Sequence, residues 1–251
     1  GAIGAGASRF AYLDDSHNIS GGALEELGQE CEAICVPCLK TSSVLDTIQG
    51  AQNLKELAPI ATLILGGDGT SRAFIKGWRD AVLLPLSTGT NNVFPRLAEA
   101  TVAGAALGLL AAGKVTLKEV AVAVKIIDID IEDELSDIAL IDAVVSTDRF
   151  IGSRALLDGN AIERILLTRA EPLAVGMTAV GGLIQPVNEA MDVGLHLTLG
   201  ARPKYKVHAP IAPGMYQTMR VKKIEQVSFD QKIEFKGPCV LAFDGERERV
   251  V

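Results

Sequence analysis

The chain has 251 residues, 48% of them apolar and only 4% aromatic, so its core must be aliphatic and fills one large domain or two small ones. A net charge of −7 with no long basic block argues against nucleic acid as the main partner and against an anionic membrane surface. No apolar run approaches the ~18 residues of a transmembrane segment and no secretory signal is visible, so the expected setting is cytoplasmic.

Gly1 is not a natural start, so a longer parent chain is expected. The glycines of Gly1–Gly6 follow no strand and make a weak dinucleotide fingerprint. Arg9–Leu13 reads as a short strand, Gly21–Glu32 as a helix through Leu24 and Leu27, and Ala33–Pro37 as a strand. Val44–Leu57 reads as a helix with apolar positions at Val44, Ile48, Ala51 and Leu54. Cys35-Val36-Pro37-Cys38 has C-x-x-C spacing, but no fourth ligand stands near. Cys31, Cys35 and Cys38 are therefore read as small buried hydrophobes in a reducing compartment.

Ala61–Leu65 is an apolar run of strand length, cut off by Gly66-Gly67-Asp68-Gly69-Thr70, and Ser71–Trp78 can continue as a helix. Strand, glycine turn and helix start together can bind phosphate, because the first-turn N–H groups lack helical partners and carry partial positive charge. A carboxylate among those glycines repels phosphate unless it holds a metal ion or takes a proton from an attacking hydroxyl, which points to phosphoryl transfer. The plainer reading is an ordinary βα turn in which Asp68 caps the helix.

Ala81–Leu86 is the next strand, and Ser87-Thr88-Gly89-Thr90-Asn91-Asn92 follows it. On a parallel sheet both loops fall at the carboxyl ends of strands, where ligands bind. Alone, the second loop is a helix cap; paired with the first, it lines a shared crevice. Thr101–Ala112 is an alanine-rich helix ending at Gly113.

From Lys114 the pattern changes to antiparallel strands, with alternation over Val115–Ile131 and an acidic run at Asp128, Asp130, Glu132, Asp133 and Glu134 that reads as a solvated strand end. Asp137–Val145 reads as a buried strand carrying Asp142, and Ala161–Leu167 as a short helix. Val193–Leu199, Tyr205–Ile211, Met219–Ile224, Lys232–Phe235 and Val240–Phe243 read as strands. The expectation is an α/β nucleotide-binding domain over 1–114, with a Rossmann-like parallel sheet, and a β-rich substrate domain over 115–251. His17, His196 and His208 are scattered, no catalytic or metal-type grouping appears, and no P-loop sequence occurs.

Gly66-Gly67-Asp68-Gly69-Thr70 followed by Ser87–Asn92 resembles the superfamily of NAD kinases and diacylglycerol- or sphingosine-type lipid kinases. Within it, the chain is similar to the ATP-NAD kinase-like family of acetoin-catabolism X proteins. The likeness runs from about Ala61 to the end and takes in Thr168-Arg169-Ala170-Glu171-Pro172, Ala179-Val180-Gly181-Gly182-Leu183, Ala209-Pro210-Ile211-Ala212-Pro213-Gly214 and Phe243-Asp244-Gly245-Glu246. The resemblance implies an antiparallel β-sandwich as the second domain, an active site between the domains, and ATP with Mg²⁺ as cofactors. It implies Asp68 as the catalytic aspartate, acting on the acceptor hydroxyl or through Mg²⁺, and Glu246 as a second catalytic carboxylate of the lipid-kinase type. Gly66, Gly67, Gly69 and Thr70, with Thr88, Gly89, Thr90, Asn91 and Asn92, would contact the nucleotide.

Three departures accompany the likeness. The Asn-Glu pair that holds the acceptor in NAD kinases corresponds here to Ile141-Asp142, leaving Asp142 as the substrate-binding candidate. The hydroxyl-rich loop before the Gly-Gly reads Ala174-Val175-Gly176-Met177-Thr178, and the family's first strand with its glycine loop has no counterpart. The expected function is ATP-dependent phosphorylation of a hydroxyl of NAD or a related small metabolite, giving NADP in the first case and linked to acetoin catabolism. The alternatives are a lipid kinase and a catalytically silent nucleotide-binding regulator. A carbohydrate- or metabolite-binding protein without phosphate chemistry is the plainest reading. Homo-oligomerisation is left open.

Overall fold

The computed structural model describes residues 1–132, 134–147 and 159–251. Asp133, part of the expected acidic run, lies outside them. The chain divides into two compact units, Gly1–Val122 and Ala123–Val251.

The first unit alternates helices and strands: α1 (Ala2–Ala5), β1 (Arg9–Leu13), α2 (Ile19–Leu27) with a tight turn at Gly28–Glu30, and β2 (Glu32–Val36). It continues with α3 (Val44–Lys55), β3 (Thr62–Gly66), α4 (Asp68–Gly77), β4 (Leu83–Ser87), α5 (Ala100–Ala111) and α6 (Leu117–Val120). β1 pairs parallel with β2, and β3 with β4, as two separate two-stranded sheets. One core joins them: Val36, Ala51, Leu54, Ile64 and Phe74 cluster with Leu13, Trp78 and Leu83. Burying side chains of this size contributes roughly 1.5–3 kcal/mol each, which is what holds short helices on short strands. Local caps fix the helix starts. The Asp15 carboxylate accepts from the N–H groups of His17, Ile19 and Ser20, and the Ser43 hydroxyl accepts from Leu45 N–H.

The second unit contains β5 (Ile127–Ile129), β6 (Asp137–Ala139), β7 (Asp142–Ser146), β8 (Ile162–Leu167) and α7 (Met177–Gly182). β9 (Gly194–Leu199), β10 (Tyr205–Ala212), β11 (Met215–Val227), β12 (Val240–Phe243) and β13 (Glu246–Val250) complete it. Seven of these strands form one antiparallel sheet in the order β10-β11-β9-β8-β7-β12-β13, and β5 pairs with β6 separately. The long strand β11 pairs with β10 up to Val221 and with β9 beyond it, across a bulge between Val221 and Lys223. A bulge increases local twist and bend. Inward residues from both halves, among them Leu195, Leu197, Val207 and Met219, accordingly share one core with Met177 and Val180 of α7. The β5–β6 pair covers a second cluster of Val145, Leu241 and Phe243 through Ile127 and Ile129.

Four expected elements differ. Ala161–Leu167 is strand β8: the apolar positions at 162, 165 and 167 fit either period, but six residues make a poor isolated helix, whereas β7 and β9 pair with both edges. Asp137–Val145 is interrupted at Leu140–Ile141, dividing β6 from β7. In Val115–Ile131 only Ile127–Ile129 is a strand, and Leu117–Val120 is a helical turn with a Thr116–Glu119 capping box. Lys232–Phe235 carries no strand; the chain returns to the sheet at β12 and adds β13. No helix of the described residues is long and apolar enough to cross a membrane.

Candidate functional site

Gly66 ends β3, and Asp68 opens α4 after the extended residue Gly67. The Asp68 carboxylate turns to the neighbouring loop after β4 instead of capping its own helix. Its two oxygens accept from Val93 N–H at 3.1 Å each, and Oδ1 also accepts from Phe94 N–H at 2.8 Å. The loop answers: Asn92 Oδ1 accepts from Asp68 N–H at 3.4 Å, Asn92 Nδ2 donates to Ser87 Oγ at 2.7 Å, and Ser87 Oγ donates to Gly89 C=O at 2.8 Å. The two loops after β3 and β4 are thus latched through one carboxylate and one carboxamide.

The glycines differ in what they permit. A Cβ on Gly67 would stand 2.7 Å from Asn92 Oδ1, so the latch itself requires glycine there. A Cβ on Gly69 would meet nothing within 4 Å. Gly69 is exposed in the first turn of α4, a turn whose N–H groups lack helical acceptors and suit an anion. Thr88, Gly89, Thr90 and Asn91 are exposed, with Asn91 in the left-handed region at φ 69°. Thr70 and Asn92 are half-buried, and Gly66 is buried.

In the second unit the structure brings Asp142 against the turn that ends at Glu246. Asp142 is buried at the start of β7, and its Oδ1 accepts from Gly245 N–H at 3.4 Å. Asp244, at φ 50°, accepts from three successive N–H groups, those of Leu140, Ile141 and Asp142, at 2.7–3.3 Å. Asp244 and Gly245 both have positive φ and form the two-residue turn between β12 and β13. Glu246 is exposed at the start of β13.

Asp244 was legible as half of an Asp-Gly turn signal, though not as a clamp on the 140–142 break. Two buried arginines carried no such signal. Arg72 lies four residues after Asp68 on α4, 7% exposed. Arg169, 3% exposed, reaches Glu189 at 3.3 Å and Glu171 at 3.7 Å, which gives the Thr168–Pro172 stretch a structural use. In the Gly-Gly stretch, a Cβ on Gly182 would collide with the backbone of Glu171 and Pro172, so glycine lets α7 pack there. Lys125 donates to the carbonyls of Asn188, Met191 and Val193 at 2.7–3.0 Å, tying down the segment before β9.

The cysteines depart from expectation: Cys35 is exposed, Cys31 and Cys38 are half-buried, and only Cys239 is buried. β2 is narrowly covered, and its alternation turns Cys35 outward. No group of three or more His, Cys, Asp or Glu among the described residues could hold a metal ion.

Fold and latched loops define a mixed α/β protein with a large antiparallel sheet in its C-terminal unit and a glycine-Asp turn opposed to an Asn-bearing loop. Residues 125–251 match the family model for the C-terminal domain of acetoin catabolism protein X, beginning within three residues of the second unit. The chain belongs to the acetoin catabolism protein X family. It is 35% identical over 215 residues to acetoin catabolism protein X of Cupriavidus necator, an alignment covering 83% of this chain and 60% of that relative. The chain therefore spans less than two thirds of the curated relative's length.

Proposed function

We propose that this chain carries the nucleotide-binding and acceptor-binding parts of an ATP-dependent phosphotransferase of the NAD kinase type, serving acetoin catabolism. The observation that carries the reading is the latch between Asp68 and Asn92 beside an open helix start. Backbone N–H groups at Gly69 and Thr70 hold the phosphates, and Gly67 and Asn92 fix the distance between the two loops. Asp68, held by Val93 and Phe94, orients the loop pair and assists deprotonation of the acceptor hydroxyl. In the second unit Asp142, beside Gly245, is the acceptor-binding candidate, and exposed Glu246 follows Gly245 at the end of the same turn.

Mg²⁺ is commonly held by one or two carboxylates together with nucleotide phosphates, so Asp68, at the start of α4, is the carboxylate that would share it. When bound, Mg²⁺–ATP supplies the phosphoryl group and neutralises its charge. The test is to incubate the protein with ATP, Mg²⁺ and NAD and assay NADP. Product formation supports the reading. Product only with lipid vesicles in place of NAD assigns the lipid-kinase branch.

A second reading has its own observation. Both Asp68 oxygens already accept backbone N–H groups, a use that needs no chemistry. A silent nucleotide-binding regulator would keep that latch. ATP binding by calorimetry without product in either assay selects it.

A further inference from the structure

We propose that the outer face of the β10–β11 hairpin is a docking face for a second copy of this chain, and that it takes the acidic β5 stripe of that copy. The inference is independent of the kinase reading. In a chain of net charge −7, residues 201–227 hold Arg202, Lys204, Lys206, Arg220, Lys222 and Lys223 against the single carboxylate Glu225. Glu225 is taken by Lys223 at 2.6 Å, and no ion pair forms at Lys206, Arg220 or Lys222 among the described residues.

The sheet register makes this concentration costly. Lys206 and His208 alternate with buried Val207 and Ala209, while Arg220 and Lys222 alternate with buried Met219 and Val221, so all four stand on the outer face. Lys206 lies directly opposite Arg220. Like charges opposed across an antiparallel pair destabilise it. Lysine on an edge strand has a plain use, guarding the edge against stray pairing, and β10 is an edge. That accounts for Lys206 and not for Arg220 or Lys222, since β11 is interior. An opposing anionic surface removes the repulsion.

The same unit contains a surface of the opposite sign. Asp128, Asp130 and Glu132 are exposed and alternate with Ile127, Ile129 and Ile131, which pack into the cluster under β12. Only Asp128 lies within β5, and Asp130 and Glu132 follow it toward the turn, so the match between the two faces is one of opposite charge. Complementary charge across an interface governs partner choice. Because the two faces are different patches, the contact is head-to-tail and builds rings or open chains.

Sedimentation velocity of the full chain at about 0.02 M and about 0.5 M salt reads the contact, since screening over a Debye length weakens it. The expected result is a species larger than a monomer at low salt that reverts to monomer at high salt. The variants Lys206→Glu/Arg220→Glu and Asp130→Lys/Glu132→Lys should each sediment as monomers, and their equimolar mixture should associate. Lys206→Gln/Arg220→Gln should stay monomeric yet melt no lower than the parent chain, because the internal repulsion is gone. A parent chain that is monomeric at low salt, or a mixture that fails to associate, overturns the proposal. Co-sedimentation of the monomer with phosphatidylglycerol vesicles would also overturn it, by assigning the face to a membrane.

Discussion

Asp142 and Asp244 hold each other through the backbone: Asp244 N–H donates to Asp142 C=O at 3.0 Å, while Asp142 N–H donates to Asp244 Oδ1 at 3.3 Å. With Leu140 and Ile141 also donating to Asp244, the break between β6 and β7 and the turn between β12 and β13 become one piece. The acceptor-binding candidate is thus positioned by the acid of the Asp-Gly-Glu ending that reasoning from resemblance left without a role.

Asp244→Ala should lower stability by about 3 kcal/mol, because three N–H donors lose their acceptor at once. Asp244→Asn keeps one acceptor oxygen and tolerates the left-handed backbone, so it should cost markedly less. Urea unfolding of the two variants measures the difference.

Gly67→Ala and Gly69→Ala should separate folding from binding. The first drives a Cβ to 2.7 Å from Asn92 Oδ1 and should lower stability by roughly 1–3 kcal/mol, the usual cost of overpacking. The second meets no protein atom within 4 Å, so the fold should hold while ATP affinity falls. Thermal melts and calorimetric titration with Mg²⁺–ATP report the two effects.

Asp68→Asn should lower turnover by ~10²–10⁴-fold if the carboxylate serves as a general base. Asn92→Ala removes the amide side of the latch without touching that carboxylate, and should raise KM for ATP more than it lowers kcat. Unchanged turnover in Asp68→Asn would leave Asp68 a purely structural latch.

His196 should make the second unit sensitive to mild acid. Burial lowers its pKa, the neighbouring Arg164 and Lys223 act in the same direction, and Glu225, 3.8 Å away, opposes them. Its Nε2 is buried without a hydrogen-bond partner. A histidine with a depressed folded pKa binds fewer protons folded than unfolded, so stability is complete above the ordinary histidine value near 6.5 and falls as pH drops below it. The loss levels off once pH is below the folded value. Melting temperature against pH should fall in that window for the parent chain, and His196→Asn should flatten the profile.

The strands and longer helices of the first unit were legible because each is a local pattern, whereas the short α1 and α6 were not. Thr62–Gly66 and Leu83–Ser87 are short apolar runs closed by small polar residues, and Val44–Lys55 follows a serine cap. The errors fell where partners decide. Ile162–Leu167 carries a spacing that suits either structure, and pairing with β7 and β9 on both sides makes it a strand. Glu246–Val250 was given no element, yet an Asp-Gly turn folds it back on Val240–Phe243 as a strand.

Sequence alone determined that a carboxylate stands among glycines after a strand, and that an Asn-bearing loop follows the next strand. These are facts of order and spacing, carried by the chain whatever it folds into. What Asp68 touches was decided by tertiary structure. Hydrogen bonds to Val93 and Phe94 need groups 25 and 26 residues away to arrive within about 3 Å, and no local propensity encodes such an approach. The same holds for Lys206 and Arg220: fourteen residues apart along the chain, they face each other because register across the hairpin puts them there.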